Sequence, residues 1–244
     1  MKRLYVLLAI ALFVCNFKAF SQGQKNQRID YAASTENAWR KISANAAKAT
    51  NNVRIIPTDT TRGAFALFRG KYELNSTLAA FVFNCGGMMV DNGWLRVIGS
   101  GSAEFNRGIV EWNNGKCKPD KDGVKFLMIA DDVVGGFFAL YLTPTSNFEK
   151  AMVYYQGPND REWVSTGLDY PAFLNFCFTG EVEMFYNNYH WTGWQEEIRM
   201  INNNQTISCY PEFWLEGAKD TKLKRRVIPV QRLWELYNPN VKEL

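Results

Sequence analysis

The chain has 244 residues, of which 28 are Lys or Arg and 24 are Asp or Glu, so its formal net charge is +4. Lys2, Arg3 and Lys18 fall in an N-terminal segment with the pattern of an export signal, and without them the net charge is only +1. A near-neutral domain lacks the broad positive field that attracts a phosphate backbone, so nucleic acid is a poor candidate partner. A chain of roughly 220 remaining residues can bury a substantial core.

Residues 1–21 have the composition of a signal peptide. Two basic residues precede an apolar run from Leu4 to Val14, and Ala19 and Ser21 stand at the spacing that signal peptidase recognises. The apolar run is shorter than the ~20 residues that cross a bilayer, so we expect no membrane span. The sequence predicts an exported protein, periplasmic or secreted, and a retained N-terminal anchor is the alternative.

Three segments follow from this pattern. We predict a signal peptide over 1–21, a flexible polar segment over 22–33, and a single domain over 34–244. Lipid-attachment signals normally carry a small residue before their cysteine, whereas Val14 precedes Cys15. A lipid anchor at Cys15 is therefore disfavoured.

Four cysteines remain after the signal, and their even number in an oxidising compartment allows disulfides: Cys85, Cys117, Cys177 and Cys209. Three pairings are open, and the sequence does not choose among them. The alternative for Cys177, inside the apolar run Phe173–Phe178, is a buried free thiol.

The first half of the domain alternates helical and extended patterns. Apolar residues at helical spacing predict an amphipathic helix over 35–49, and Val53–Ile56 has the composition of a strand. The apolar segment Ser76–Asn84 predicts a buried helix, capped by Gly86 and Gly87 in the left-handed conformation.

A strong turn signal comes next in the chain. Asn92-Gly93 predicts a tight turn between two strands, Met88–Val90 and Trp94–Ile98. Runs of β-branched and aromatic residues bounded by turn residues predict further strands over 124–130, 137–142, 151–155 and 162–165.

Helical spacing returns in the last third, at Tyr170–Cys177, Val182–Tyr189 and Val230–Tyr237, with Pro229 suited to a first helical position. Strands grouped with helices give an α+β class, with one mostly antiparallel sheet of five or six strands. The basic stretch from Lys219 to Arg226 is interpreted as a solvated loop.

Several sequence blocks resemble a bacterial family classed as a domain of unknown function: GGMMVDNGWLRVIGSG from Gly86, IADDVVGGFFAL from Ile129 and YHWTGWQEEI from Tyr189. More distantly, the pattern is similar to the SUKH superfamily of immunity proteins and a fungal cell-wall regulator. The shared features are a helix ending in Gly-Gly before a strand, acids followed by glycines at Asp131 to Gly136, and a Trp strand at Trp163. This resemblance implies a SUKH-like fold that binds another protein and carries no catalytic residues.

Candidate catalytic groups are few. His190 is the sole histidine and has no nearby cluster of ligands, so it does not indicate a zinc site, and a packed or surface role is favoured. Any catalytic imidazole base would have to be His190. No serine occupies a Gly-x-Ser-x-Gly turn. We predict no metal, no cofactor and no catalytic residue.

The alternative function is a secreted carbohydrate-binding or glycan-cleaving protein. Glycoside cleavage needs two carboxylates, and tryptophans could stack on sugar rings. Adjacent acids on a strand point to opposite faces, so each acidic pair can supply one group to a site. The candidate binding residues for either function are the acidic pairs and the tryptophans near turns: Trp94, Asp131, Asp132, Trp163, Trp191, Trp194, Glu196 and Glu197.

Overall fold

Seven antiparallel strands, adjacent in space in the order in which they occur in the chain, make the central sheet. They are β1 (Val53–Pro57), β2 (Cys85–Val90), β3 (Leu95–Ile98), β4 (Phe126–Asp132), β5 (Phe137–Tyr141), β6 (Met152–Gln156) and β7 (Val164–Asp169). A separate antiparallel pair consists of β8 (Gln205–Tyr210) and β9 (Lys224–Pro229). The structure is a computed structural model that describes residues 29–116, 125–142, 151–158, 162–211 and 224–238.

Eight α-helices lie within these described ranges. They are α1 (Tyr31–Ala46), α2 (Thr60–Gly70), α3 (Thr77–Asn84), α4 (Ile109–Asn113), α5 (Tyr170–Thr179), α6 (Val182–Tyr186), α7 (Trp194–Arg199) and α8 (Val230–Tyr237). None of the described helices is both long enough and apolar enough to cross a bilayer. From Tyr31 onward the chain forms one compact unit.

Polar side chains fix where the main helices begin. The Ser76 hydroxyl accepts a hydrogen bond from Ala79 N at the start of α3, and the Asp169 carboxylate accepts one from Ala172 N at the start of α5. Each bond satisfies a backbone N–H that has no partner inside its helix.

The predicted glycine cap of α3 is wrong. The helix passes directly into β2 through Cys85, which has an extended backbone, and Gly86 and Gly87 belong to that strand without positive φ. Their small size is needed for another reason. A Cβ atom on Gly87 would lie 2.8 Å from the ring of Phe105, and one on Gly86 would lie 2.9 Å from Pro57 O.

Substitution Gly86→Val is expected to destabilise the domain, because its side chain would clash with Pro57 O and with Ser102 Cβ, also 2.9 Å from the added Cβ. Backbone oxygen cannot move aside as a flexible side chain can, so a loss of about 1–3 kcal/mol or more is expected. Urea unfolding monitored by circular dichroism measures this loss. Equal midpoints for variant and wild type would contradict the close packing at Gly86.

The helix face of the sheet carries α1, α3 and α5, which contact one another. Phe138 of β5 contacts Phe173 of α5 at 5.1 Å between ring centroids, and Phe81 of α3 contacts Tyr170 at 6.3 Å. These aromatic and aliphatic contacts form the main hydrophobic core, which supplies most of the driving force for folding.

The opposite face is also covered, but by different elements. Phe105, from the segment between β3 and α4, packs against Gly87, and Trp234 of α8 lies 5.1 Å from the Phe137 ring. The strand pair docks beside them, since Ile207 N donates to Val133 O at 2.7 Å. Polar groups as well as apolar side chains are enclosed on this face.

Candidate functional site

A row of side chains crosses the covered polar face of the sheet from strand to strand. The register pairs Arg54 with Met89, Met89 with Arg96, Arg96 with Asp131, and Asp131 with Phe137. Residues directly opposite in an antiparallel sheet share one face, so these five lie side by side. We call this side the arginine face.

Asp131 sits at the centre of a buried charge cluster. Its Oδ1 accepts from Arg96 Nε at 2.7 Å, and its Oδ2 accepts from Arg107 Nη1. Asp131 has no exposed surface, and Arg96 is only 2% exposed. One carboxylate therefore compensates two guanidinium groups, which leaves the cluster with a positive charge. Burial lowers the pKa of Arg96, and Asp131 acts in the opposite direction.

Three backbone carbonyl groups complete the cluster, one each from β4, the α7–β8 loop and the start of β8. Arg96 donates to Gln205 O and, at 3.1 Å, to Asp132 O, while Arg107 Nη2 donates to Asn203 O at 3.0 Å. The Arg107 guanidinium also stacks over the Trp112 ring at 4.6 Å. These bonds hold the α7–β8 loop and the start of β8 against the sheet.

A cavity of about 400 Å³ opens beside this cluster, between the β1–β3 end of the arginine face and the α7–β8 loop. Three arginines line it, namely Arg54, Arg96 and Arg199, together with four asparagines, Asn52, Asn92, Asn202 and Asn203. Met89, Ile198 and Ile201 supply apolar surface. We call this cavity the arginine pocket.

The three arginines of the pocket differ in their ion pairs. Arg54 pairs with Glu104 at the surface, and Arg96 pairs with Asp131, but Arg199 has no ion pair within the described chain. The described residues that line the cavity include neither aspartate nor glutamate. The pocket therefore offers positive charge and amide groups to a ligand.

Two of the asparagines have their amide orientation fixed by the backbone. Asn202 Oδ1 accepts from Asn204 N at 2.9 Å, and Asn203 Nδ2 donates to Glu104 O at 2.9 Å. The free group is thus the Nδ2 donor of Asn202 and the Oδ1 acceptor of Asn203. Asn52 Nδ2 donates to Asn92 Oδ1 at 2.9 Å, and the Asn92 amide also bonds the Asp91 carboxylate, so the group that remains in this pair is the Oδ1 acceptor of Asn52.

Three of the four tryptophans predicted for binding, Trp94, Trp191 and Trp194, lie outside the arginine pocket in an aromatic cluster beside the β2–β3 turn. Trp94 is fully buried, and its ring lies 4.4 Å from His190, 5.6 Å from Trp191 and 5.0 Å from Trp194. His190 stacks on Trp194 at 4.3 Å with nearly parallel planes. The prediction that the sole histidine is a packed residue is confirmed.

A polar edge closes this aromatic cluster. Trp191 Nε1 donates to Glu197 Oε2 at 2.8 Å, and Arg225 of β9 stacks over the Trp191 ring at 4.6 Å while pairing with Glu197 at 3.0 Å. Glu196, next to Glu197 on α7, is exposed. Trp163 lies apart, 5.7 Å from the Phe126 ring.

Asp132 organises the β4–β5 turn instead of facing a cleft. Its Oδ1 accepts from Val134 N at 3.1 Å and Gly136 N at 2.7 Å, and its Oδ2 accepts from the Tyr155 hydroxyl at 2.7 Å. Asp131 and Asp132 thus contact different partners on opposite faces of the sheet, as alternation along a strand requires. Both carboxylates are fully buried and bonded to protein groups.

Burial makes the contribution of Asp132 to the stability of the fold depend on pH. It raises the pKa of Asp132 from 3.8 to about 6, although Tyr155 and Gly136 oppose the shift. The folded state then holds a proton that the unfolded state has released, so this contribution to stability is full below pH ~4 and is lost as the pH rises through about 6.

Substitution Asp132→Asn is expected to remove this pH dependence, because asparagine keeps an acceptor for Val134 N and Gly136 N and cannot ionise. A shift of about two pKa units corresponds to about 3 kcal/mol between pH 4 and pH 7. Urea unfolding of both proteins at several pH values in this range measures it. Parallel stability curves for variant and wild type would contradict the assignment.

The described cysteines are Cys85, Cys177 and Cys209, and all three are free and buried. Burial raises the pKa of each thiol, that of Cys209 to about 11. The predicted disulfide therefore finds no pair among them, whereas the buried free thiol at Cys177 is confirmed. Cys117, Cys15 and the signal segment over 1–21 lie outside the described residues.

Residues of the arginine pocket do not appear among the sequence-predicted site residues. One signal was available, since Arg96 is a charged residue in the middle of an apolar strand, and charge in a buried strand needs a partner. The three consecutive asparagines Asn202–Asn204 were a weaker sequence signal for this pocket. Within the described chain, no group of three or more His, Cys, Asp and Glu side chains could hold a metal ion.

The fold and the pocket define an α+β protein with a cationic cavity beside a seven-stranded antiparallel sheet. The chain belongs to the family described as "Protein of unknown function DUF2625", which matches residues 30–233. It is 31% identical over 201 residues to the uncharacterised protein YbfG of Escherichia coli strain K12, covering 82% of this chain and 90% of that protein. An uncharacterised protein of Haemophilus influenzae is 31% identical over 188 residues, covering 76% of this chain and 82% of that protein.

Proposed function

We propose that this protein acts by binding a ligand, not by catalysis, and that an anionic group of the ligand occupies the arginine pocket. The observation that carries the proposal is the lining of the cavity, with Arg54, Arg96 and Arg199 and without a carboxylate among its described residues. Guanidinium groups present several N–H donors in a planar fork that matches carboxylate and phosphate oxygens.

The pocket is preorganised for such a group. Asp131 and two backbone carbonyls hold the Arg96 guanidinium in place, so little side-chain entropy is lost when a ligand binds beside it. Arg199, at the end of α7, supplies a charge that has no partner within the described chain. Arg96 is held in place, and Arg199 has no ion pair within the described chain. Together, these two cations of the pocket lining suit one bound anion.

The glycan-cleaving alternative has less support. Asp131 and Asp132 are enclosed and bonded to protein groups, and Glu197 pairs with Arg225. Two carboxylates facing one substrate, at the separation that glycoside cleavage needs, would require these bonds to break. Binding is compatible with the arrangement as it stands.

The resemblance to the SUKH superfamily implies a partner protein as one source of the anionic group, and the signal-peptide pattern favours an encounter outside the cytoplasm. An acidic side chain of a partner protein and a free acid present the same carboxylate to Arg199. The arginine pocket is common to both.

Substitution Arg199→Gln is expected to weaken anion binding about tenfold or more, because a hydrogen bond to a charged group contributes about 1.5–3 kcal/mol. Isothermal titration calorimetry with citrate, inorganic phosphate and a tetraglutamate peptide measures the affinity. Arg40→Gln is the matched control, since Arg40 is an exposed arginine of α1 outside the pocket lining. Equal affinities of the two variants, or no binding of any probe to wild type, would contradict the proposal.

A further inference from the structure

The hydrogen-bonding groups of the arginine pocket restrict its ligand beyond its charge. One donor and two acceptors remain free on the four asparagines, namely Asn202 Nδ2, Asn52 Oδ1 and Asn203 Oδ1, because the other amide atoms are bonded within the protein. The acceptors matter most here, since a phosphate or a plain carboxylate ion has few or no protons to give them. Hydroxyl groups both donate and accept, so they fit this mixture.

The orientation of these amides is set by neighbouring atoms. A backbone carbonyl cannot donate, so the bond from Asn203 Nδ2 to Glu104 O leaves Asn203 Oδ1 as an acceptor. A backbone N–H cannot accept, so the bond from Asn204 N leaves Asn202 Nδ2 as a donor. In the Asn52–Asn92 pair, the Asp91 carboxylate accepts from the Asn92 amide, so Asn92 Oδ1 is the acceptor for Asn52 Nδ2 and Asn52 Oδ1 remains as an acceptor.

The size and the apolar surface of the arginine pocket narrow the class of ligand further. A volume of about 400 Å³ lies at the lower end of the ~300–1,000 Å³ typical of small-molecule sites. Met89, Ile198 and Ile201 offer apolar contact of the kind that the C–H faces of a small ring can cover. The cavity thus combines cation, amide and apolar surface in a small space.

We infer that the ligand of the arginine pocket is a hydroxylated carboxylic acid of monosaccharide size, such as a uronic acid, either free or at the end of a glycan. This inference rests on the proposed function and specifies its ligand. Arg199 contacts the carboxylate, with Arg96 beside it, and the asparagine amides contact the hydroxyl groups.

Four matched probes separate the contributions of acid and hydroxyl groups in calorimetry on the full chain without its signal segment. D-Galacturonate carries both, D-galactose carries hydroxyl groups alone, cyclohexanecarboxylate carries the acid alone, and inorganic phosphate carries charge without a ring. We expect galacturonate to bind at least tenfold more tightly than each of the other three. Digalacturonate binding more tightly than the free acid would identify a glycan end as the source, and weaker binding would identify the free acid.

Two variants assign the contacts. Arg199→Gln should weaken galacturonate and cyclohexanecarboxylate alike. Asn202→Ser keeps an oxygen for Asn204 N but removes the amide donor, so it should weaken galacturonate about three- to tenfold and leave cyclohexanecarboxylate unchanged. Circular dichroism melts of both variants confirm folding.

The probes distinguish failure of the hydroxylated-acid inference from failure of the proposed anion-binding function. If phosphate, cyclohexanecarboxylate or the tetraglutamate peptide binds as tightly as galacturonate, the hydroxylated-acid inference is overturned while the proposed anion-binding function stands. If no anion binds to wild type, both fall. An equal effect of Asn202→Ser on galacturonate and cyclohexanecarboxylate would also overturn the inference.

Discussion

Substitution Asp131→Ala is expected to destabilise the domain by about 3–5 kcal/mol, because it leaves Arg96 and Arg107 buried without their shared carboxylate. Arg96 is only 2% exposed, so water compensates little of its charge. The cost is therefore that of an uncompensated buried charge and not the worth of one ion pair. Urea unfolding at pH 7 measures it.

Glu104→Ala is the matched control for this substitution. Glu104 also forms an ion pair with an arginine, Arg54, but both side chains are more than half exposed, so a loss below about 1 kcal/mol is expected. The second variant, Arg96→Met combined with Asp131→Ala, should recover part of the stability lost in Asp131→Ala, because one of the two buried charges, that of Arg96, is removed along with the carboxylate while Arg107 remains. Equal losses for Asp131→Ala and Glu104→Ala would contradict the buried cluster.

The elements that could be predicted from the sequence are those with local signals. The α+β class is confirmed, and Asn92-Gly93 correctly marks the β2–β3 turn, in which Asp91, Asn92 and Gly93 all have positive φ. The helical spacing of Tyr170–Cys177 corresponds to α5. Each of these rests on periodicity or turn chemistry within about ten residues, which acts before any tertiary contact.

Elements that depend on distant partners were less predictable. The sheet has seven strands instead of five or six, and β8 and β9 form a further pair. Lys224–Arg226 lies in β9 and not in a loop, while Lys219 and Lys222 lie outside the described residues. A strand so rich in charge has no strand signature of its own, and its pairing with β8 sets its conformation.

The arginine pocket depends even more on the tertiary structure. Arg54, Arg96 and Arg199 come from β1, β3 and α7, and the chain between Arg96 and Arg199 spans most of the sheet. Only the strand register brings Arg54 beside Met89 and Arg96, and only the return of the α7–β8 loop brings Asn202 and Asn203 there. No short motif contains this set. The acids and tryptophans do form short motifs, and the site residues predicted from them lie outside the lining of the pocket.

The tryptophans raise the question of whether they bind a partner or hold the fold together. Trp94 has no exposed surface and contacts His190, Trp191 and Trp194, so a partner could reach it only after the cluster opens. Trp191 is half-buried and stacked under Arg225, which makes it the more accessible ring of the group. The difference in burial indicates that Trp94 holds the fold together, whereas Trp191 is the ring that a partner can reach.

Substitution Trp94→Ala is therefore expected to cost about 3–5 kcal/mol of unfolding free energy, the range for removal of a large buried aromatic side chain. Trp94→Phe should cost less, because it keeps a ring beside Tyr186, 5.7 Å away, and Trp194. Met200→Ala, at a side chain that is 86% exposed, is the control and should change stability by no more than about 0.5 kcal/mol.

Urea unfolding followed by tryptophan fluorescence and circular dichroism measures all three variants. Because Trp94 does not line the arginine pocket, galacturonate affinity of folded Trp94→Phe should equal that of wild type, whereas Arg199→Gln keeps its stability and loses affinity. A Trp94→Ala variant as stable as wild type would show that the aromatic cluster does not support the fold. We expect stability to be lost at Trp94 and affinity to be lost at Arg199 because the two side chains differ in their surroundings. Trp94 is enclosed by aromatic rings, whereas Arg199 is an exposed cation that lines the cavity and has no ion pair among the described residues.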